Sequence, residues 1–264
     1  MVDERRTYQR RDDEGEQHYE RRGGPYEVVV SDSPVLDRQF FQLRYKVFCE
    51  EHPEFCLEHN IDEIETDEFD GRSIKMLLIF RPLQMVIGGA RVIMPDHRLP
   101  HYGLPCIQHP DSYFNADLPF DIKHFAEISR FMVSRSRIKI AKKYLGEIMS
   151  DAEIMRYPNP ILYLLKAFYS LAKMNDIHDY GAMVEPALIR MIQSIGVDLD
   201  IYSDILEYHG KRQVIVINSS ELSDRITISN EKNIHFIMSD DEYFSSGLLR
   251  SQSLQDRYFS FIPK

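Results

Sequence analysis

Apolar residues recur along the chain at two periods, which predict helices alternating with strands. The first amphipathic helix, beginning near Ser33 and Pro34, has its apolar face at Leu36, Phe40, Leu43 and Val47. Further helices are predicted at 138–149, 161–174 and 187–195. Strands are predicted at 26–30, 74–80, 85–94, 124–133, 181–184, 199–206 and 214–217. This alternation is typical of one α/β domain with a mixed sheet.

The two ends of the chain differ from the part between them. Residues 1–25 contain six Arg and seven acids but only four apolar side chains. Burial of so few apolar groups cannot offset the entropy lost on ordering, so we expect a disordered tail. A docking arm is the alternative. The α/β domain is predicted to occupy 26–235, and 236–264 form a frayed C-terminal extension.

Composition narrows the class of protein. The 264 residues carry a net charge of −10 and contain three Cys. So few cysteines cannot build a disulfide framework, which favours a reducing cytoplasm. We expect neither a transmembrane segment nor a signal peptide, because the chain lacks the apolar runs that these require. The negative charge disfavours nucleic acid as a partner.

Several known motifs are absent or incomplete. Cys49, His52, Cys56 and His59 have metal-ligand spacing, but one helix face cannot enclose a tetrahedral ion. We therefore expect semi-buried cysteines and surface histidines there, and no metal. The acidic stretch 62–70 lacks the glycine of a calcium loop. Neither a Walker-type loop nor a G-x-S-x-G elbow is present.

Two segments carry opposite charge. Residues 50–70 contain ten acids and neither Lys nor Arg, whereas 128–146 contain six basic residues and no acid. The basic residues are Arg130, Arg135, Arg137, Lys139, Lys142 and Lys143. In a negative protein this local reversal favours docking of a phosphate or an acidic partner. A solvated helix face is the alternative.

Four short motifs follow one another along the chain. They are Leu43-Arg44-x-x-x-Phe48, Glu65-x-Asp67-x-x-Asp70, Gly89-x-Arg91 and Glu127-x-Ser129-Arg130-Phe131. Together they resemble the autoinducer-synthase-like branch of the GNAT acyltransferases, which includes acyl-homoserine-lactone synthases and N-acyl amino acid synthases. Residues 183–186 and 208–212 look most like the PEP-CTERM/exosortase-system-associated acyltransferases of that branch. The resemblance spans about residues 35–215.

The resemblance implies a GNAT-like mixed sheet, splayed near its middle and flanked by helices, with an acyl thioester in the cleft. Glu127 would be the general base, directly or through a water, with Arg130 beside it. The acceptor cluster would contain Arg44, Asp67, Asp70 and Arg91. Phe48 and Phe131 would line the pocket, and Met132, Val133 and Ser134 would hold the thioester. Strict strand alternation separates Glu127 from Arg130, so their cooperation requires a bulge or a long reach by Arg130.

Two departures from the family pattern bear on substrates. The Trp that follows the Phe in homoserine-lactone synthases is missing after Phe48, which puts that product in doubt. The phosphate loop R/Q-x-x-G-x-G/A of CoA-dependent relatives is also missing after Val133. The basic residues Arg135, Arg137, Lys139, Lys142 and Lys143 could instead dock an acidic acyl carrier protein. We favour that thioester over a CoA thioester.

We therefore predict an N-acyltransferase without a bound cofactor. It would move a fatty acyl group from acyl-acyl-carrier-protein or acyl-CoA to the amine of a small acceptor, an amino acid being the expected one. An arginine would recognise the acceptor carboxylate, and we assign Arg44 to that region. A non-catalytic acyl-thioester-binding or regulatory module on the same fold is the alternative. His209, in a predicted turn, is either a substrate contact or a plain turn residue.

Overall fold

The computed structural model describes residues 24–56, 62–115, 118–208, 210–219 and 231–239. Within them the strands are β1 Tyr26–Val30, β2 Ser73–Phe80, β3 Met85–Ile93, β4 Phe125–Val133, β5 Asp179–Val184, β6 Asp200–Ile201, β7 Leu206–Glu207 and β8 Lys211–Asn218. The α-helices are α1 Pro34–Tyr45, α2 Pro105–Gln108, α3 Arg135–Ile148, α4 Asp151–Ile154, α5 Pro160–Asn175, α6 Pro186–Ile195 and α7 Glu231–Met238. Nearly all of the predicted tail, most of the C-terminal extension, His59 and His209 lie outside the described residues.

Local sequence explains where the predicted helices begin and end. A proline in the first turn of α1, α5 and α6 needs no backbone partner there. The Ser33 side chain accepts the Leu36 N–H at 3.4 Å, and Asn159 caps α5 through the Ile161 N–H. Gly196 ends α6 with a φ of 104°, a left-handed conformation that glycine adopts without strain. These helix predictions are confirmed.

The sheet has the order β1-β2-β3-β4-β5-β8-β6, with β7 paired to β8. Neighbouring strands are antiparallel except for the central pair β4 and β5, which is parallel. That parallel pairing begins at Phe125 and Asp179 and ends at Ile128 and Ala182. Beyond it both strands continue without pairing to one another, so the sheet splays at its middle. The predicted mixed, splayed sheet is confirmed.

A bulge interrupts β4 where it pairs with β3. Met132 faces Gly89, but Ser129 faces Arg91, so two residues of β4 stand opposite one residue of β3. Arg130, inside the bulge, has a φ of 51°, which non-glycine residues adopt rarely. Gly89 allows close packing there, because an added Cβ would lie 2.6 Å from the Met76 carbonyl oxygen of β2.

Apolar side chains cover both faces of the sheet. α5 contributes Leu164 and Phe168 to a core with one face of β2, whereas α1 packs Phe40 and Leu43 against Leu77 in a separate cluster. The alternation of β2 side chains between the two clusters follows the period of a strand. The central strands therefore lie inside the protein, and their polar residues require partners.

Two parts of the C-terminal region differ from prediction. The prediction of one continuous strand over 199–206 is wrong. Only two short strands form near its ends, β6 and β7, and an irregular segment separates them. α7 was not predicted; it buries Ile234 and Ile237 in the core that contains α5. The predicted domain boundary after residue 235 falls within this helix.

Candidate active site

A cavity of about 560 Å³ opens where β4 and β5 separate. This volume lies within the range typical of small-molecule sites. Nine of the predicted site residues line it: Phe48, Asp67, Arg91, Glu127, Arg130, Phe131, Met132, Val133 and Arg135. Glu127 and Arg130 share the cavity despite the strand alternation expected between them, because the bulge adds a residue to β4.

Six side chains next to the cavity form one ion-pair network, here named the charged cluster: Arg44, Arg91, Arg130, Glu65, Asp67 and Asp70. Arg44 donates to all three carboxylates, with Nη1 2.6 Å from Asp70 Oδ1. Arg91 Nη1 contacts Asp67 and lies 2.8 Å from Asp70 Oδ1. Arg130 Nη2 lies 2.9 Å from Glu65 Oε1 and 3.0 Å from Asp67 Oδ2. Three cations thus match three anions.

This balance keeps the buried acids ionised. Burial opposes ionisation of Asp67, but the hydrogen bond from Arg91 and the surrounding guanidinium charges outweigh it and lower the pKa of Asp67 to about 2. The pKa of Glu65 is lowered in the same way, against burial, by Arg44 and Arg130. Arg44 itself is 0% exposed and does not line the cavity. Arg44 therefore holds the carboxylates of the charged cluster from the side away from the cavity. Asp70, like Arg44, is not part of the cavity wall.

Glu127 has a different environment on the cavity wall. Its side chain is 1% exposed, and its Oε2 accepts the Cys106 N–H at 2.9 Å. Burial raises the pKa of Glu127 to about 7, even though hydrogen bonds from the Cys106 N–H and thiol and the charges of Arg91 and Arg72 oppose that rise. A carboxyl group with a pKa near neutrality can both accept and release a proton.

Cys106 is a contact of Glu127 that the sequence did not reveal. It lies on the short helix α2, between β3 and β4, where the sequence predicts neither a helix nor a strand. Burial, and then the charge and hydrogen bonding of Glu127, raise the pKa of the thiol well above its usual value. Gly181 makes room for this contact, because an added Cβ would lie 2.9 Å from Cys106 Sγ.

The α3 N-terminus is occupied by a side chain of the protein. Glu51 accepts the Arg135 and Ser136 N–H groups at 2.7 and 3.1 Å, and it accepts the Ser134 hydroxyl at 2.7 Å. Although burial opposes ionisation, the hydrogen bond from the Ser136 hydroxyl at 2.6 Å and those just described lower the pKa of Glu51. Ser134 also caps Arg137 N–H and lies off the cavity wall, whereas Met132 and Val133 are on it.

Four of the five predicted docking residues share an exposed face of α3: Arg135, Lys139, Lys142 and Lys143. Their spacings of four, three and one place them on one side of a helix. Arg137 does not join them, because its Nη1 donates to the Val86 carbonyl oxygen at 2.6 Å.

Another part of the cavity lining consists of residues with no role in the sequence predictions. Tyr208 and Arg212 come from the β7–β8 hairpin, and Phe55 comes from the short 3-10 turn Pro53–Phe55. The Arg212 guanidinium lies over the Phe55 ring, 4.9 Å from its centroid. The only signal in the sequence was that 208–212 resembles a family motif, which named no role for these side chains.

Cys49 and Cys56 form a disulfide, with Cα atoms 4.5 Å apart. This pairing was not predicted, and it commits both sulfurs of the candidate metal set to each other. Elsewhere in the described residues His124, Asp176 and His178 lie within metal-ligand reach. The two imidazole planes are stacked at 9°, so their in-plane lone pairs do not converge on one ion. Hydrogen bonds to Asp176 account for this group.

Among the described helices none has the length and apolar character needed to cross a membrane.

Comparison with known proteins identifies the class of fold. The family model of the acetyltransferase (GNAT) domain matches residues 43–149. The solved structure of BjaI, a CoA-dependent acyl-homoserine lactone synthase, with SAM and isopentyl-CoA, superposes with a TM-score of 0.55 at 16% identity, covering 85% of this chain and 99% of BjaI. The acyl-homoserine lactone synthase LasI gives a TM-score of 0.54 at 17% identity, covering 82% and 97%. No curated protein sequence matches the chain.

The chain therefore has the GNAT fold that its sequence predicted. At these identities the structural likeness establishes the fold, and the chemistry of the cavity must carry the function.

Proposed function

We propose that this protein is an N-acyltransferase that moves a fatty acyl group from a carrier thioester to the amine of a small acceptor, an amino acid. The observation that carries the proposal is Glu127, a buried carboxyl group with a pKa of about 7, on the wall of the cavity where β4 and β5 separate. The fold is one on which acyl thioesters are used, as in the isopentyl-CoA complex of BjaI.

Glu127 supplies the proton transfer that the reaction needs. An amine attacks a thioester only as the free base, so the ammonium must first lose a proton. Glu127 accepts that proton, directly or through a water. The amine nitrogen then forms the new C–N bond and the C–S bond breaks. The carrier leaves as a thiolate, which takes up the second proton that the nitrogen loses as it becomes an amide.

The bulged end of β4 is suited to hold the thioester carbonyl. Past Ile128 the β5 side of β4 has no strand partner among the described residues, so backbone N–H groups on that side face the cavity. Donors held rigidly by a sheet stabilise an oxyanion without having to reorganise. We assign this task to Met132 and Val133, which line the cavity, and the apolar lining to Phe48 and Phe131.

Two features of α3 favour an acyl carrier protein over CoA as the carrier of the acyl group. Glu51 fills the α3 N-terminus, so the end of the helix that would otherwise attract a phosphate is already neutralised. The exposed basic face of α3 remains available to an acidic protein surface.

The test of the function is a direct search for product. Purified protein is incubated with a long-chain acyl carrier protein or acyl-CoA and each of the twenty amino acids, and N-acyl products are measured by mass spectrometry. We expect acylated amino acids with at least one donor. Tight acyl-thioester binding without any product would instead support the non-catalytic module.

The donor preference is tested by reversing charge on α3. The double variant Lys139→Glu with Lys142→Glu should lower kcat/KM for the acyl carrier protein about tenfold and leave acyl-CoA turnover unchanged. Lys232→Glu, an exposed change on α7, is the matched control. Equal losses with both donors would argue against carrier docking at this face.

A further inference from the structure

The arginines of the charged cluster are already committed to the protein's own carboxylates. Arg44 uses Nε, Nη1 and Nη2 on three different acids, and Arg91 uses Nε on Ser129 and Nη1 on two acids. Arg130 uses Nε and Nη2 on Glu65. An acceptor carboxylate bound here would add a fourth anion to three cations. Bidentate binding through an Nε and Nη2 edge would also displace a partner, because each of these arginines already uses at least one nitrogen of that edge.

Arg212 has a guanidinium edge that can bind a carboxylate, which the arginines of the charged cluster lack. Its side chain lines the same cavity and is 14% exposed. Within the described residues its hydrogen bonds all leave from Nη1, to Glu185 Oε1 and to the Lys211 carbonyl oxygen, both at 3.1 Å. The edge formed by Nε and Nη2 makes no hydrogen bond to a described residue. Such an edge is the one that binds a carboxylate through two parallel hydrogen bonds.

The surroundings hold the Arg212 guanidinium in place. The Phe55 ring lies against it, 4.9 Å away, and restricts its plane. Glu185, which also lines the cavity and is 44% exposed, pairs with Nη1 at 3.1 Å, and solvent weakens the effect of so exposed an ion pair. A side chain ordered before binding loses less entropy when it captures a ligand.

From this geometry, and resting on the proposed function, we infer that Arg212 is the residue that binds the acceptor carboxylate, through its Nε and Nη2 edge. The acceptor is then a zwitterionic amino acid whose amine is directed toward Glu127. Burial raises the pKa of Tyr208, and the nearby charge of Glu127 adds to the rise, so the hairpin that carries Arg212 reaches the neighbourhood of Glu127.

The experiment compares acceptors with and without a carboxylate. Each amino acid acylated by the wild-type protein is assayed beside its α-carboxamide and its decarboxylated amine, using the wild type and Arg212→Gln. We expect the wild type to prefer the carboxylate form, and Arg212→Gln to lose about 100-fold in kcat/KM for that form, mainly through KM. Turnover of the amide should stay within about twofold, so that the preference collapses.

Arg190→Gln, an exposed arginine on α6 outside the cavity wall, is the matched control and should behave as wild type. Thermal unfolding shows whether Arg212→Gln is folded, and Arg212→Lys should recover only part of the affinity, since it lacks the bidentate edge. If the wild type acylates amines but Arg212→Gln keeps the carboxylate preference, the assignment of Arg212 is overturned while the proposed function stands. If the wild type acylates no amine, the proposed function fails and this assignment fails with it.

Discussion

Glu127 and Asp67 are two carboxyl groups on the wall of one cavity, and their pKa values lie on opposite sides of the ordinary range. Burial opposes ionisation of both. Asp67 receives guanidinium groups from three sides, and its pKa falls to about 2. Glu127 receives a backbone N–H and a thiol at close range, and its pKa rises to about 7. Glu127 is also the more deeply buried of the two. The difference in partners and in burial separates a structural anion from a group that can transfer protons at neutral pH.

The largest effect should come from removing the group that titrates. Glu127→Gln keeps the shape and the Cys106 contact but cannot take a proton, so turnover should fall about 10²–10⁴-fold. Steady-state rates with saturating donor and acceptor measure this, and donor binding should persist. Turnover close to wild type would show that Glu127 is not the base. The different pKa values of Glu127 and Asp67 would then have no consequence for catalysis.

The charged cluster should respond through stability. Arg44→Gln leaves three buried carboxylates with two arginines, which should lower the free energy of unfolding by about 3–5 kcal/mol. Denaturant unfolding at pH 7 measures the loss. Adding Glu65→Gln restores two cations against two anions, so the double variant should be less destabilised than the two single losses added together. Strict additivity would show that charge balance is not what holds the cluster.

The pH dependence of stability should distinguish the two carboxyl groups. The folded pKa of Glu127 is about 7 and its usual value is 4.5, so the unfolded chain ionises first as pH rises. The stability that protonated Glu127 contributes is therefore full below pH 4.5 and is lost as pH rises through 7, by up to about 3 kcal/mol. Glu127→Gln should abolish this part of the pH dependence in denaturant unfolding at pH 5 and pH 8.5. An unchanged profile would contradict the raised pKa.

The smallest predicted effect concerns the thiol beside Glu127. The Cys106 thiol stabilises the charged carboxylate, so Cys106→Ala should raise the pKa of Glu127 and move the acidic limb of the pH–rate profile upward by about 0.5–1 unit. Cys106→Ser keeps a donor and should restore the limb toward its original position. A limb that does not move in Cys106→Ala would show that the thiol does not stabilise the charged carboxylate.

Much of the fold could be predicted from local pattern. The helix starts at Ser33 and Asn159 and the stop at Gly196 depend on neighbouring residues, which is why their positions were close to those observed. α7 and the break between β6 and β7 were missed. α7 is stabilised mainly by burying Ile234 and Ile237 against a distant helix, a contact that leaves little local signal.

The sequence predicted which residues belong to the site but not how they are arranged in it. Residue types and their order pointed to Glu127, Arg130 and the acids near 67, and the cavity brings these together. The family resemblance assigns Arg44 to the acceptor cluster, but its position behind the cluster depends on how α1 packs on the sheet. Arg212 and Cys106 could not be assigned at all, since each meets its partner across long stretches of chain.

The sequence alone determined the alternation of elements, the opposed charges of 50–70 and of α3, and the set of groups available for acyl transfer, because these depend on composition and short-range pattern. Tertiary structure decided which of those groups titrate and which face the cavity. A pKa and a free hydrogen-bonding edge depend on burial and on partners that the splayed sheet brings together. A bulge of one residue was enough to put Arg130 on the wall of the cavity that Glu127 also lines.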